Sequence, residues 1–270
     1  MSRPPPIHIF DPSDPRIDAY RNVRERDLTG RQRRLIAEGR VVLNVLARHR
    51  PQNIESALVL ENRLEGISGL LASLPDTVPV YAASQTVMDA IAGFHLHRGI
   101  LAIAKQDEPP DFASFVSGLG EDALAMVLAG ISNHDNMGSI FRNAAAFEAD
   151  AVLLDNTCCD PHYRKAIRVS VGAVLKVPHL RAGSIDAALR ALAAEKFSLF
   201  ALSPHGSMTV EELPKKGRRA LLLGTEGDGL PANILNSMQT CRIAMSAEFD
   251  SLNVATASGL ALFHASRFSM

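Results

Sequence analysis

A glycine-rich loop with two carboxylates is the first candidate site. In the run 220–231, ALLLGTEGDGLP, an apolar stretch typical of a buried strand leads into three glycines interleaved with Glu226 and Asp228. Glycine lets a backbone approach a ligand closely, but two carboxylates repel a phosphate. The loop therefore favours a ligand with hydroxyls, amino groups or a positive centre, such as a nucleoside. A tight strand-to-helix turn without any ligand is the alternative.

A second candidate site is the run 131–147, ISNHDNMGSIFRNAAAF, where an apolar strand ends at a polar turn. Asn136 directly precedes a predicted helix, and that helix carries Arg142. An amide and a permanent cation could hold and polarise a substrate together. Each residue also has an ordinary interpretation, because Asn caps helices and an exposed helix often carries arginine.

A third candidate is the run 242–265, RIAMSAEFDSLNVATASGLALFHA. A predicted strand leads into an acidic loop, and Ser251, Leu252 and Asn253 then open a long helix of small residues. Ser251 is the predicted N-cap of this helix. A small-residue helix face is more often a contact with another helix or subunit than a substrate site, so that interpretation stays open.

Two segments of alternating strands and helices have to position these residues. In the first, residues 31–105, predicted strands at 34–39, 57–62, 79–83 and 99–105 alternate with helices at 40–49, 67–75 and 84–94, the last capped by Ser84. This alternation indicates a small α/β domain. Acidic residues, prolines and glycines then predict a linker over 109–121.

The alternation restarts at residue 122. Predicted strands lie at 123–131, 151–155, 173–178, 197–203, 219–224 and 241–246, and predicted helices at 137–147, 162–169, 184–197, 231–238 and 252–268. Apolar strands separated by helices indicate a mostly parallel sheet covered on both faces. The G-x-G-x-x-A match at 118–123 precedes a strand instead of joining a strand to a helix, so it does not indicate dinucleotide binding.

Composition limits the class of protein. The 270 residues are 47% hydrophobic and 21% charged, as in a globular protein. We expect a cytoplasmic protein, because no apolar run reaches the ~18 residues of a membrane span and the N-terminus lacks a signal-peptide pattern. Three cysteines without C-x-x-C spacing predict neither a disulfide framework nor a metal site.

The net charge of −1 does not by itself indicate a nucleic-acid-binding protein. Residues 16–50, however, contain ten arginines against four acids. Arginine suits phosphate contacts, and the candidates for RNA binding are Arg21, Arg24, Arg31, Arg33 and Arg34. A solvated surface held by arginine–carboxylate pairs is an equally good interpretation.

Taken together, the three candidate sites resemble the motifs of the SpoU (TrmH-like) RNA ribose methyltransferases of the SPOUT class. Asn136, Gly138 and Arg142 match the family's N-x-G-x-x-x-R motif, LLLGTEGDGL resembles its second motif, and I-x-M followed by S-L-N-V resembles its third. The resemblance covers residues 122–270. Glu148 departs from it, because the family often has glycine there. Residues 31–105 more loosely resemble the α/β/α, ribosomal-protein-like RNA-binding domain that often precedes this one.

The resemblance implies an α/β protein whose C-terminal, mostly parallel sheet is closed by a trefoil knot. The implied domains are a basic N-terminal extension at 1–30, an RNA-binding domain at 31–108, the linker, and a SPOUT methyltransferase domain at 122–270. The implied cofactor is S-adenosylmethionine, a nucleoside with a sulfonium cation and no phosphate. It would bind loops 223–230 and 243–253 through Leu223, Gly224, Glu226, Gly227, Ile243, Met245 and Leu252.

The resemblance further implies transfer of a methyl group to a ribose 2′-hydroxyl in RNA, within a homodimer whose site is completed across the interface. The implied catalytic residues are Asn136, Arg142, Glu226, Ser251 and Asn253. A guanidinium stays protonated, so we expect Arg142 to grip a phosphate and stabilise charge. We expect ribosomal RNA as substrate, because a separate N-terminal domain helps to find one site in a large RNA. Transfer RNA, and a non-catalytic RNA-binding protein with a vestigial cofactor site, are the alternatives.

Overall fold

Two sheets organise the chain, and each belongs to its own unit. In this computed structural model, residues 3–21, 25–92, 98–227, 229–246, 248 and 250–268 are described. One unit comprises Met1–Glu108 with His162–Lys176, and the other comprises Pro109–Pro161 with Val177–Met270. No helix in the described ranges is long and apolar enough to cross a membrane.

The first unit contains a five-stranded sheet of order β1-β4-β3-β5-β2. Its strands are β1 (Ile7–Ile9), β2 (Arg34–Glu38), β3 (Ile54–Leu60), β4 (Val80–Ala83) and β5 (Ile100–Lys105). Strands β1, β4 and β3 are parallel, whereas β5 runs antiparallel to both of its neighbours. The helices are α1 (Glu25–Gly30), α2 (Arg40–His49), α3 (Ser68–Ala72), α4 (Gln85–Ala92) and α7 (Arg164–Val169).

The N-terminal residues belong to this first unit and do not form the separate extension predicted for 1–30. Strand β1 pairs with β4, from Ile7 opposite Tyr81 to Ile9 opposite Ala83. Ile9, Ile17 and Leu28 are buried in the same hydrophobic core as the sheet residues. Burial of these apolar side chains stabilises the fold, and their wide spacing gave no periodic pattern to detect.

Residues 162–176 also pack with the first unit, although the sequence placed them in the domain at 122–270. Two long-range contacts explain this: Arg164 Nε lies 2.9 Å from the buried Glu38 carboxylate, and Arg50 Nε donates to the Leu175 carbonyl at 2.9 Å. The strand predicted at 173–178 is wrong. Ala173–Leu175 forms a 3-10 turn, and the strand begins only after Pro178.

The second unit contains a seven-stranded sheet of order β10-β12-β9-β11-β6-β7-β8. Its strands are β6 (Leu124–Leu128), β7 (Ala151–Leu154), β8 (His179–Arg181), β9 (Ser198–Leu202), β10 (Met208–Thr209), β11 (Arg219–Leu223) and β12 (Gln239–Arg242). Each pairing found in this sheet is parallel. The predicted α/β class with a mostly parallel sheet is confirmed. The carboxyl ends of the strands, where ligands bind in such sheets, share one edge.

The helices of the second unit are α5 (Phe112–Ser117), α6 (His134–Ala146), α8 (Ile185–Ala194), α9 (Ala232–Leu235) and α10 (Val254–Ala265). Helix α5 lies within the predicted linker 109–121, where Asp111 caps it by accepting from the Ser114 amide at 3.0 Å. The cap of α6 is Asn133 and the cap of α10 is Asn253, so the predicted caps Asn136 and Ser251 are wrong.

Helices α6 and α10 pack against each other through polar contacts between small residues. Asn143 Nδ2 donates to the Ala255 carbonyl at 2.7 Å and to Ser258 Oγ at 2.9 Å. Buried Arg219 of β11 donates to the carbonyl of Ala265, the last residue of α10.

Glu148, just beyond α6, takes φ +52°, a left-handed conformation that favours glycine. Glutamate therefore replaces the family's frequent glycine at a position whose backbone conformation favours glycine.

Candidate active site

A cavity of about 670 Å³ opens at the carboxyl ends of β9, β11 and β12. Its size is within the range of small-molecule sites, roughly 300–1,000 Å³. All seven residues predicted to bind the cofactor line it: Leu223, Gly224, Glu226, Gly227, Ile243, Met245 and Leu252. The first and third candidate sites of the sequence thus line a single cavity.

The glycine loop forms a tight backbone turn along this cavity. Thr225 and Gly229 form an isolated antiparallel bridge, in which the Thr225 amide and hydroxyl both lie 3.3 Å from the Gly229 carbonyl oxygen. A Cβ atom added to Gly224 would lie 2.3 Å from the Gly229 carbonyl carbon and 2.4 Å from the Leu230 amide nitrogen. No side chain fits at position 224 unless this backbone moves.

The cavity combines apolar walls with negative charge. Leucine, isoleucine, valine and methionine side chains line it together with the carboxylates of Glu226 and Asp250. Among the described lining residues there is no lysine or arginine, and His205 is the side chain that can carry a positive charge. The arrangement disfavours a phosphate and favours an apolar ring joined to a cationic group.

Three of the five predicted catalytic residues form a hydrogen-bonded group. Asn253 Nδ2 donates to Asn136 Oδ1 at 3.0 Å, and Asn136 Nδ2 donates to Glu226 Oε1. Asn253 Oδ1 also accepts from the Ala255 amide at 2.9 Å as the cap of α10. The group therefore joins the first turn of α6 to the glycine loop, 90 residues further along the chain, and to the start of α10, 117 residues further along.

The other two predicted catalytic residues have different positions. Ser251 is exposed and lines the cavity. Arg142 is exposed on α6 and does not line the cavity. Because an α-helix turns about 100° per residue, six residues place Arg142 about 120° around the helix from Asn136. The contacts within one chain therefore do not bring Arg142 to the asparagine–glutamate group.

A family model described as the SpoU rRNA Methylase family matches residues 123–263. The chain belongs to this family. The match covers more than half of the chain and confirms the family predicted from the three motifs, together with the methyltransferase class.

Relatives of this SpoU chain extend over both units. A protein of Mycobacterium bovis, named as an uncharacterised tRNA/rRNA methyltransferase, is 40% identical over 96% of this chain and 91% of its own. A solved RNA 2′-O ribose methyltransferase is 27% identical with a TM-score of 0.77, over 96% of this chain and 98% of its own. An AdoMet-bound rRNA methyltransferase from Sinorhizobium meliloti has a TM-score of 0.76 over 96% of both chains. Its 22% identity establishes a common fold only.

In this SpoU chain the turn before α6 is held by the buried carboxylate of Asp155. Asp155 Oδ1 accepts from the Gly130 amide at 3.2 Å and the Cys158 amide at 2.9 Å, and the Cys159 amide donates to the Ile131 carbonyl. Burial raises the pKa of Asp155, but hydrogen bonds from Thr157 and these amides outweigh it, so the pKa lies below its usual range. The charged turn fixes the segment that leads to Asn136.

The cysteines of the SpoU chain are not suited to nucleophilic chemistry at neutral pH. Burial raises the pKa of Cys158 and Cys241 to about 12 and that of Cys159 to about 11. A thiol reacts as its thiolate, so these groups stay protonated. Within the described residues no cluster of side chains is suited to hold a metal ion.

Most arginines predicted to bind RNA are paired with acids. Arg21 contacts Asp18, Arg31 Nε lies 3.8 Å from Asp27, Arg33 Nη1 lies 2.7 Å from Glu108, and Arg34 Nε lies 2.7 Å from Glu55. Arg24 lies outside the described residues. These pairs have the form expected of a solvated, ion-paired surface, which was the alternative interpretation of this segment. A role in RNA binding remains a prediction.

Sequence reasoning missed several residues of this site. His205 follows β9, and Asp250 lies in the acidic loop after β12; both line the cavity. Since strands of a parallel sheet end at one edge, the polar turn after β9 was a usable signal. Asn133 could have been recognised as the cap of α6, because it directly precedes the helix. Asp155 makes a local turn with Thr157 and Cys158, but its contact with the Gly130 amide on another loop had no signal in the sequence.

Proposed function

We propose that this chain transfers a methyl group from S-adenosylmethionine to a ribose 2′-hydroxyl of RNA, and that the RNA is ribosomal. The observation that carries the proposal is the Asn253–Asn136–Glu226 group beside an anionic cavity. Family membership, the 40% identical relative named as a tRNA/rRNA methyltransferase and the solved 2′-O ribose methyltransferase support it. The preference for ribosomal RNA rests on the family description and on the first unit, most of which precedes the SpoU domain in sequence.

The cavity residues fit this cofactor. Apolar side chains such as Leu223, Ile243 and Leu252 suit the faces of an adenine ring, and Glu226 and Asp250 suit an amino group and a sulfonium. The closed turn at Gly224 presents backbone groups instead of a side chain. The Sinorhizobium meliloti methyltransferase, which shares the fold, was crystallised with AdoMet. When bound, the cofactor supplies an electrophilic methyl group on its sulfonium.

The residues of the chain supply positioning. Asn253 holds the side chain of Asn136 through one amide proton, and Asn136 holds Glu226 through another. This fixes the glycine loop relative to α6 and α10 before substrate arrives. Pre-set geometry is the main source of acceleration in an in-line displacement between two bound reactants. Ser251, exposed on the cavity wall, is placed to orient the ribose hydroxyl.

Arg142 is assigned to the substrate phosphate. Its guanidinium remains protonated at accessible pH and cannot accept the hydroxyl proton. It can stabilise the negative charge that develops on the ribose oxygen. Because Arg142 is exposed and about 120° around α6 from Asn136, we assign this role to the Arg142 of a second chain.

A homodimer through α6 and α10 would supply that arginine. Helix α10 presents Leu260 and Phe263, which are 39% and 43% exposed, and Phe147, directly after α6, is in an edge-on contact with Phe263. Exposed apolar side chains of this kind are typical of an interface. The loops around the cavity, 223–230 and 243–253, are also those that the trefoil knot of the family would bring together.

The dimer is tested by mixing two inactive variants, Asn136→Ala and Arg142→Ala. If Arg142 acts on the neighbouring site, each mixed dimer contains one site with both native residues, and methyl transfer returns. If mixing under conditions of subunit exchange restores nothing, although mixed dimers form, the shared site is excluded. Light scattering of Phe263→Glu, expected to be a monomer, is the matched control.

The activity is tested by calorimetric titration with S-adenosylmethionine, with NAD and ATP as controls, followed by transfer of a labelled methyl group to total ribosomal RNA and to transfer RNA. We expect selective binding of S-adenosylmethionine and labelled ribosomal RNA that carries 2′-O-methyl nucleosides after digestion. Label in transfer RNA alone would overturn the choice of RNA. RNA binding without cofactor binding or transfer would favour a vestigial site, and selective binding of NAD or ATP would exclude the function.

A further inference from the structure

The carboxyl ends of β1, β3 and β2 and the amino end of the antiparallel β5 gather a set of side chains at one edge of the five-stranded sheet. Phe10 follows β1, Arg63 follows β3, Arg40 follows β2, and Arg98 precedes β5. The edge is continuous, because the Leu60 amide donates to the Gly99 carbonyl at 2.8 Å and the Gly39 amide donates to the Ile100 carbonyl at 2.9 Å. Four strand spacings make it about 19 Å long. We refer to these four residues with His8 as the arginine–aromatic edge.

The three arginines of this edge differ from those selected by sequence. Arg40, Arg63 and Arg98 are exposed, and none forms an ion pair within the part of the chain that the structure describes. Arg98 lies over the start of α2, since a Cβ on Gly39 would lie 3.0 Å from its Cδ. The backbone amides that open α2 add partial positive charge there.

Two acids near this edge are paired with groups other than the three arginines. Glu61 Oε1 lies 3.0 Å from His8 Nδ1, and Glu38, at the end of β2, turns to Arg164 and Arg168. The edge therefore presents guanidinium groups whose charge is not neutralised. By contrast, Arg33 and Arg34, at the opposite end of β2, are paired with Glu108 and Glu55.

Phe10 supplies an exposed aromatic face at the β1 end of the same sheet edge. It is 82% exposed, more than any other large hydrophobic side chain in the described residues. The His8 ring lies nearly parallel to it, with ring centroids 6.1 Å apart and planes inclined by 16°. Glu61 in turn steadies His8. An exposed aromatic ring held by a neighbour, on the same sheet edge as free arginines, is suited to stack on an unpaired base.

We propose that the arginine–aromatic edge binds the RNA substrate: Phe10 stacks on an unpaired base, and Arg40, Arg63 and Arg98 contact the flanking phosphates. The inference rests on the proposed function, and it moves RNA binding in the first unit from the predicted arginines to the opposite edge of the sheet. A protein partner fits less well, because the three arginines outweigh the apolar surface, and its docking is an outcome of the test.

The test is fluorescence anisotropy with a labelled single-stranded RNA of mixed sequence, roughly 20 nucleotides long, titrated with full-length protein between about 50 and 200 mM NaCl. Phe10→Ala is expected to weaken binding about fivefold or more, whereas Phe10→Tyr retains it. The triple variant Arg40→Gln, Arg63→Gln and Arg98→Gln is expected to flatten the slope of log affinity against log salt by about 2. Phe268→Ala, an equally conservative change at a ring that is 50% exposed, is the matched control.

Unchanged binding in both Phe10→Ala and the arginine triple variant would overturn the proposal. A larger decrease in the slope of log affinity against log salt in the matched triple variant Arg31→Gln, Arg33→Gln and Arg34→Gln would also overturn it. The same holds if the edge binds a protein and the edge variants leave RNA affinity unchanged. Melting curves and S-adenosylmethionine affinity verify that each variant is folded. If the wild type methylates RNA and the edge variants do so with unchanged KM, only this proposal fails; if the wild type transfers no methyl group, the proposed function fails.

Discussion

Replacing Asn136 by alanine is expected to lower the turnover of methyl transfer by about 10²-fold or more, as the loss of one pre-set hydrogen-bond donor does in other enzymes. Asn136 is 8% exposed and is the link between Asn253 and Glu226. It does not line the cavity itself. The affinity for S-adenosylmethionine should therefore change by less than about tenfold, or 1.4 kcal/mol. Steady-state transfer assays and calorimetry on the same preparation measure both quantities.

A second variant separates the role of Asn136 from simple damage to α10. Asn253→Ser retains an N-cap side chain but removes the amide proton that Asn253 donates to Asn136. We expect Asn253→Ser to lose less turnover than Asn136→Ala. We expect the double variant with Asn136→Ala to be no slower than Asn136→Ala alone, because the effects of substitutions within one hydrogen-bonded group are not additive. Turnover that stays near wild type in Asn136→Ala, or losses that add in the double variant, would remove Asn136 from the catalytic group.

The sequence predicted the cavity well because its residues lie in two short runs. Strand β11 with the glycine loop, and the segment after β12, are each continuous in sequence. Their apolar residues and glycines can therefore be recognised without knowledge of the fold. All seven predicted cofactor residues therefore line one cavity. Their role in binding stays a prediction, since position alone does not establish it.

Features that depend on distant partners were not predictable in the same way. The pairing of Arg164 with Glu38 joins residues 126 apart and draws 162–176 into the first unit. The ion pairs of Arg33 and Arg34 need the fold to bring Glu108 and Glu55 near them. Local charge counts cannot distinguish a neutralised arginine from a free one. The same reasoning explains why Arg40, Arg63 and Arg98 were overlooked, since they come together only at the edge of the sheet.

Helix boundaries show a smaller error of the same origin. The sequence placed caps at Asn136 and Ser251, whereas α6 begins after Asn133 and α10 after Asn253. Each run contains several polar residues able to cap. In the structure Asn136 instead accepts a hydrogen bond from Asn253, a contact between the two runs that no pattern within either run contains. The error concerns the residues that the site uses.

Replacing Gly224 by alanine is expected to disrupt the cavity from its backbone side. The new methyl group would overlap the Gly229 carbonyl carbon at 2.3 Å and the Leu230 amide nitrogen at 2.4 Å, so the Thr225–Gly229 bridge has to open. Overpacking of this kind costs about 1–3 kcal/mol of unfolding free energy. S-adenosylmethionine affinity should fall by about tenfold or more, since the displaced turn is one wall of the site. Urea unfolding and calorimetry measure the two effects.

The control is Gly120→Ala, because a Cβ at that position meets nothing within 4 Å. It should leave stability and cofactor affinity unchanged. If Gly224→Ala does not fold, Leu252→Ala tests the same cavity without backbone overlap: Leu252 is 37% exposed on the opposite wall, and its loss should weaken binding by about tenfold. Wild-type affinity in Leu252→Ala together with Gly224→Ala would mean that the cofactor binds elsewhere. Loss in both would place the cofactor between the glycine loop and the start of α10, beside the Asn253–Asn136–Glu226 group.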